Sequence, residues 1–281
     1  MTKSPRSRKL LAMTTSTVPA DTSARYTPKL LGVLNLSPES MVEESIAVGE
    51  EAVAERAALL ARTGADWIDL GGRSITPDVP MVSDETEQSR LKPALELLKK
   101  TRSDSFQERV CVDTWSAATG CFGLEHGADG VNYTGGALPT SLLDAVAGKG
   151  ATLFLTFMPY DNAYQMRTAE PADVSVQAVL DHLGKKVEAA HAAGIEHLIL
   201  DPNLGIIHPT TDDHQKIHQQ LAILWNLDDF RSLGCPLLLY AARKPERLAR
   251  IMTASACLHA RADYIRTHTP EMIWRLHQSE A

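Results

Sequence analysis

Residues 194–203 run Gly194-Ile195-Glu196-His197-Leu198-Ile199-Leu200-Asp201-Pro202-Asn203, and this stretch, with the residues just upstream of it, contains one full unit of the fold. Upstream, residues 174–193 carry apolar side chains at helical spacing, and Gly194 stands where a helix C-cap is expected. An apolar run at 197–200 follows, too short for a helix, and it turns polar at Asp201. Helix, glycine, buried strand and polar strand end make one repeat of a parallel α/β sheet.

Outward from it the same unit recurs. Apolar runs fall at 30–34, 67–70, 110–112, 130–131, 151–155, 197–200, 236–240 and 263–265, separated by longer stretches rich in Ala, Leu, Glu and Lys. Eight such runs close a (β/α)8 barrel, so the sequence predicts a single α/β TIM barrel over residues 28–281 with its active site at the C-terminal ends of the strands. Residues 43–63 read as a helix whose acidic start, Glu43, Glu44, Glu50 and Glu51, suits the N-terminal dipole. Gly64 and Gly127 mark two further helix ends. Residues 1–27 belong to a basic, Ser-, Thr- and Pro-rich start that reads as a disordered tail. The patch Leu10-Leu11-Ala12-Met13 is too short for a secretory signal.

Composition narrows the function classes. The 281 residues carry a formal net charge of −7, which gives no electrostatic reason to expect nucleic acid or an anionic membrane as partner. No apolar stretch approaches the roughly 18 residues needed to span a bilayer. Cys111, Cys121, Cys235 and Cys257 lie far apart without a C-x-x-C pair, as reduced thiols of a cytoplasmic protein would. There is no Gly-x-Gly-x-x-Gly or Walker-type loop. His214 and His218 are spaced for one helix face, but the intervening Gln215 is not the Glu of a zinc-protease motif, and a solvated face is the preferred reading.

The informative feature is where each run turns polar: Asn35, Asp69 to Arg73, Asp113-Thr114, Asn132, Thr156 to Met158, Asp201 to Asn203, Arg243-Lys244, and Arg266-Thr267-His268. In the barrel these ends share one face. A buried carboxylate is costly unless paired, and a planar amino-amide heterocycle can pair with it through parallel N–H bonds. Asp113, Asn132 and Asp201 suit a 2-amino-4-oxo ring such as a pterin or guanine. The cations Arg243, Lys244 and Arg266, with His268, suit an anion, and Arg266 can instead stack on the ring.

At these residues the chain resembles the dihydropteroate synthase family. Leu31-Gly32-Val33-Leu34-Asn35-Leu36-Ser37-Pro38-Glu39-Ser40 is similar to G-V-L-N-[VL]-T-P-D-S, and Asp69-Leu70-Gly71-Gly72-Arg73-Ser74 to D-[IV]-G-G-E-S. Val112-Asp113-Thr114 and Val131-Asn132 match the next two motifs. Leu200-Asp201-Pro202 with Gly205 resembles D-P-G-I-G-F, Ala242-Arg243-Lys244 resembles S-R-K, and Ile265-Arg266-Thr267-His268 resembles R-V-H.

The resemblance implies a transferase that joins 6-hydroxymethyl-7,8-dihydropterin pyrophosphate to an arylamine, p-aminobenzoate or an altered acceptor. Asp113, Asn132, Asp201 and Lys244 would hold the pterin, Arg266 would stack on it, and Asn35, Arg266 and His268 would hold pyrophosphate and Mg2+, with Asn35 as the metal contact. It implies early loss of pyrophosphate, leaving a cationic pterin methylene for the amine to attack, in a homodimeric cytoplasmic enzyme. Alternatives are a pterin-binding paralogue without synthase activity and a methyl-tetrahydrofolate-dependent methyltransferase relative.

The departures from the pattern cluster in the closing loops. The family's E-S-T-R-P-G reads Arg73-Ser74-Ile75-Thr76-Pro77-Asp78, the serine of the p-aminobenzoate site is Ala242, the Gly of the sixth motif is Asn203, and its Lys falls at His208. One lost donor to a developing anion typically costs about 2.7–4 kcal/mol, so the resemblance implies a slow normal reaction unless another group substitutes. Arg73 reads either as a loop or surface ion pair or as a cation that swings into the site.

Overall fold

The computed structural model describes residues 26–75, 79–102, 107–205, 208–241 and 247–279. Among them each predicted run falls on a strand: β1 (Lys29–Asn35), β2 (Trp67–Gly71), β3 (Arg109–Thr114), β4 (Gly130–Tyr133), β5 (Thr152–Thr156), β6 (Leu198–Asp201), β7 (Leu238–Tyr240) and β8 (Tyr264–Thr267). All neighbours pair parallel in the order β6-β5-β4-β3-β2-β1-β8-β7. A bridge between Leu200 and Leu237 joins the two remaining edges and closes the barrel.

The outer layer comprises α1 (Glu50–Arg62), α2 (Asp84–Thr101), α3 (Ala117–Glu125), α4 (Thr140–Lys149), α5 (Ala163–Thr168), α6 (Val176–Ala192), α7 (Asp213–Trp225), α8 (Leu227–Arg231), α9 (Arg247–His259) and α10 (Pro270–Ser279). Gly64, Gly127 and Gly194 follow helices with φ of 89°, 103° and 81°, the left-handed conformation that ends a helix at little steric cost in glycine. The helix predicted over 43–63 is shorter than expected. Glu43–Ser45 forms one 3₁₀ turn, and Ile46 then pairs with Asn35 at the end of β1, so α1 begins only at Glu50. Glu50 and Glu51 therefore occupy its first turn, while Glu43 and Glu44 do not. Residues 1–25, most of the predicted tail, lie outside the described residues. Tyr26 is packed on the barrel, its hydroxyl donating to Ala262 O at 2.8 Å.

Strand parity explains why the site forms. Leu31, Trp67, Cys111, Phe154, Ile199 and Leu238 face one another inside the barrel as a buried apolar layer, with Tyr264 against them. Side chains alternate faces along a strand, so the residues two further along also point inward: Val33, Asp69, Asp113, Thr156, Asp201, Tyr240 and Arg266, all polar but Val33. On β4 the same step leads from Gly130 to Asn132. Gly130 has no room for a side chain, since a Cβ there would lie 2.6 Å from Thr152 O and 3.2 Å from the Trp67 ring. The barrel thus carries an apolar plug and, one layer above it, a polar floor.

Phe154 anchors the plug, fully buried with its ring edge-on to Trp67 at 5.2 Å and to Tyr264 at 6.1 Å between centroids. Phe154→Ala should lower unfolding free energy by about 3–5 kcal/mol, read by urea denaturation. A loss below about 1 kcal/mol would contradict a packed interior layer.

Candidate active site

The strand ends meet in a cavity of about 460 Å³. Asn35, Asp113, Asn132, Asp201, Arg266 and His268 all line it. Arg243 and Lys244 lie outside the described residues, as do Thr76 and Ala242.

The floor contains an ion network whose centre, Asp69, has no role in the sequence reading. Asp69 is fully buried. Arg266 Nε donates to Asp69 Oδ2 at 2.6 Å, and Arg266 Nη2 donates to Asp113 Oδ2 at 2.7 Å. Asp69 Oδ1 also accepts from Asn132 Nδ2 at 3.1 Å and from the Cys111 thiol at 3.3 Å. An ionised carboxylate only accepts, so Asn132 must turn its NH2 toward Asp69 and its carbonyl oxygen away. That oxygen is buried with no protein partner, an unmet acceptor on a residue that lines the cavity. The parity of β2 is the signal that could have found Asp69, because it shares the inward face of Trp67.

The remaining carboxylates are strained by burial. Desolvation raises the Asp201 carboxyl to about 6, against the opposing hydrogen bond from Asn203 N–H at 2.7 Å. Asp113 is also raised, first by desolvation and then by the charge of Asp69, with Arg266 acting in the other direction. Three carboxylates share one guanidinium, so their ionised forms carry surplus negative charge that hydrogen-bond donors or a cation would relieve.

The loops around the floor are tied to it. Asn35 Nδ2 donates to Ser45 Oγ at 2.7 Å and Ser40 Oγ at 3.3 Å. Arg90 on α2 makes a two-pronged contact with Glu39 at 2.8 and 3.0 Å and also donates to Gly72 O at 3.1 Å, joining the loops after β1 and β2. That contact holds the Glu39 carboxyl down at about 2. Asn203, where the family has Gly, takes φ 65°, a left-handed conformation that Asn tolerates. Its side chain donates to Phe157 O at 2.8 Å.

Arg73 is a buried ion pair rather than a surface or mobile cation. Its guanidinium binds Glu87 closely and Asp84 at 2.7 Å, and lies 4.4 Å from the centre of the Trp115 ring. It lines the cavity with its charge already matched. Ile75 lines the cavity too, its carbonyl held by Arg167. Tyr240 is another residue without an assigned role in the sequence reading. Its hydroxyl lies 3.0 Å from His268 Nε2, and its ring centre 5.1 Å from the Arg266 guanidinium.

His208 is outside the cavity lining, bonded to Thr210 Oγ1 at 2.7 Å and Ala169 O at 3.1 Å. His214 and His218 are exposed on α7. Among the described residues no group of three His, Cys, Asp or Glu side chains is placed to hold a metal ion, and no helix is long and apolar enough to cross a membrane.

The sequence profile of a family described as pterin binding enzyme matches residues 31–267. The probable bifunctional folylpolyglutamate synthase/dihydropteroate synthase of Haloferax volcanii is 28% identical over 258 residues, 87% of this chain but 29% of that longer protein. The dihydropteroate synthase type-2 of Escherichia coli is 27% identical over 260 residues, 86% of this chain and 90% of its own length. Dihydropteroate synthase from Thermus thermophilus, solved in complex with 4-aminobenzoate, matches with a TM-score of 0.71 and 26% identity over 90% of this chain and 93% of that one. A profile match that runs from β1 to β8, over the strands whose ends build this cavity, makes the chain a member of the pterin-binding enzyme family.

Proposed function

We propose that the protein is a transferase of dihydropteroate synthase type, coupling 6-hydroxymethyl-7,8-dihydropterin pyrophosphate to p-aminobenzoate or a related arylamine with release of pyrophosphate. The observation that carries this reading is the unpartnered carbonyl oxygen of Asn132 on a floor shared with Asp113 and Asp201. A pterin presents its 2-amino group and ring N–H as adjacent donors, the complement of buried acceptors. Whole-length similarity to dihydropteroate synthases supports the transferase over the paralogue and methyltransferase alternatives.

The floor also suits the chemistry. The methylene C–O bond breaks with both electrons leaving on pyrophosphate, the amine lone pair forms the C–N bond, and the ammonium proton passes to solvent. Positive charge on the pterin methylene is stabilised by fixed carboxylates beneath the ring. Arg266 keeps its N–H groups on Asp69 and Asp113 while offering its guanidinium plane to the ring, a division that a flat delocalised cation allows. Lys244 would help hold the pterin, and Asn35, Arg266 and His268 would serve the pyrophosphate side, with Tyr240 orienting the imidazole.

Mg2+ fits this arrangement through Asn35. The Asn35 NH2 is committed to Ser40 and Ser45, which leaves its carbonyl oxygen over Gly71 as a hard ligand. Magnesium commonly takes one or two protein oxygens and completes its shell with substrate phosphates and water. When bound, it would neutralise charge on the departing pyrophosphate.

The same reading includes a homodimer. Leu248 and Met252, one turn apart on α9, are 68% and 65% exposed, and Trp274 on the adjoining α10 is 43% exposed. An apolar surface of this kind suits a second copy.

Given the pterin pyrophosphate and Mg2+, the protein should release pyrophosphate only when p-aminobenzoate is added. Binding of the ester without amine-dependent release would overturn the transferase reading. Ionised Asp201 offers two acceptor oxygens to ligand N–H groups, whereas the protonated form turns one of them into an opposing O–H donor, and its carboxyl is raised to about 6. Pterin affinity measured by calorimetry should therefore increase as pH rises from about 5 to about 7.5, and fall away below the folded-state value. Asp201→Asn should abolish measurable binding; unchanged affinity would contradict the proposed pocket.

A further inference from the structure

Among the described residues three Lys or Arg side chains line the cavity: Arg73, Lys216 and Arg266. Two are already matched, Arg73 by Glu87 and Asp84, and Arg266 by Asp69 and Asp113. Lys216 differs. Its ammonium meets Asp213 Oδ1 at 3.3 Å, one turn back on α7, and that carboxylate side chain is 91% exposed. Such a pair is screened by water and holds its partners weakly, so Lys216 can exchange Asp213 for an anion in the cavity.

Its position is built. Gln220, four residues further along the same face of α7, donates to Leu204 O at 2.7 Å and fastens the helix to the loop after Asp201. Leu204, Gly205, Lys216 and Gln220 therefore form one wall. Tyr240 packs against it: a Cβ on Gly205 would come within 2.5 Å of the Tyr240 ring, so glycine is what lets the ring approach.

The serine that the family resemblance assigns to the p-aminobenzoate site is replaced here, and the lysine of its sixth motif is replaced as well. Ala242 stands two residues past Tyr240 where the family has serine, and His208, at the family's lysine, is turned to Ala169 and Thr210. An acceptor anion is also repelled by the carboxylates of the floor. We propose that Lys216 binds the carboxylate of the arylamine acceptor and makes the site selective for an anionic amine. The inference rests on the transferase reading above and names a residue of α7 that sets its acceptor class.

The test compares p-aminobenzoate with the uncharged p-aminobenzamide as acceptors, in wild type, Lys216→Gln and Lys216→Arg, by amine-dependent pyrophosphate release. Lys216→Gln should reduce the preference for p-aminobenzoate, as a ratio of kcat/KM values, about tenfold, the size of a lost charge-assisted bond. Lys216→Arg should keep most of it. Raising the salt concentration should erode the preference in wild type but not in Lys216→Gln. An unchanged preference in Lys216→Gln would overturn the proposal. If wild type shows no amine-dependent release, the transferase reading fails, and the ratio of dissociation constants for the two amines, measured by calorimetry with the same variants, still decides the role of Lys216.

Discussion

The guanidinium of Arg266 lies between two carboxylates, Asp69 and Asp113, at the centre of the barrel mouth, and the rest of the site depends on this arrangement. Asp69 is sealed from solvent, where an unpaired charge would be costly enough to force protonation or unfolding. Pairing with Arg266 makes the charge tolerable. Its second oxygen then orients Asn132 and so determines which atom of that amide a ligand meets. A charge pair supplied by strands β2 and β8 thereby specifies recognition on β4.

Around this centre the protein separates rigidity from adaptability. The apolar plug and the floor sit on strands, where neighbouring backbones fix each side chain. The walls sit on loops braced by side chains from the helices: Arg90 joins the first two loops, Gln220 holds the loop after β6, and Lys186 on α6 donates to Gly135 O and Thr156 O, both at 2.8 Å. Of the residues that differ from the family motifs, Arg73, Ile75 and Asn203 lie in these loops, while the floor keeps its hydrogen-bonding groups. In the proposed reading, pterin recognition and acceptor choice rest on different layers, so that one can change while the other persists.

The barrel was legible in the sequence because eight short apolar runs, each ending in polar residues, report a local property: burial of a strand and exposure of its tip. Asn35, Asp113, Asn132, Asp201, Arg266 and His268 followed from those tips and do meet in one cavity. What was not legible depends on pairing across the chain. The 43–63 helix starts late because Ile46 is drawn onto Asn35, a contact between β1 and the following loop. Arg73 is a matched, buried cation because α2 presents Glu87 and Asp84 to it. Tyr240 matters through neighbours on β8 and the β6 loop, far from it in sequence, and Lys216 through the cavity wall that α7 forms with that loop.

In the proposed function the floor reads the donor edge of a pterin through Asp113, Asn132 and Asp201. Calorimetric titration of wild type with 6-hydroxymethylpterin and with the corresponding lumazine, which carries an oxo group in place of the 2-amino group, tests it most directly. Binding of the lumazine should be at least ~100-fold weaker, because the buried acceptor that meets the 2-amino group would face an oxygen while only the ring N–H donor remains. Equal affinity for the two rings would contradict it.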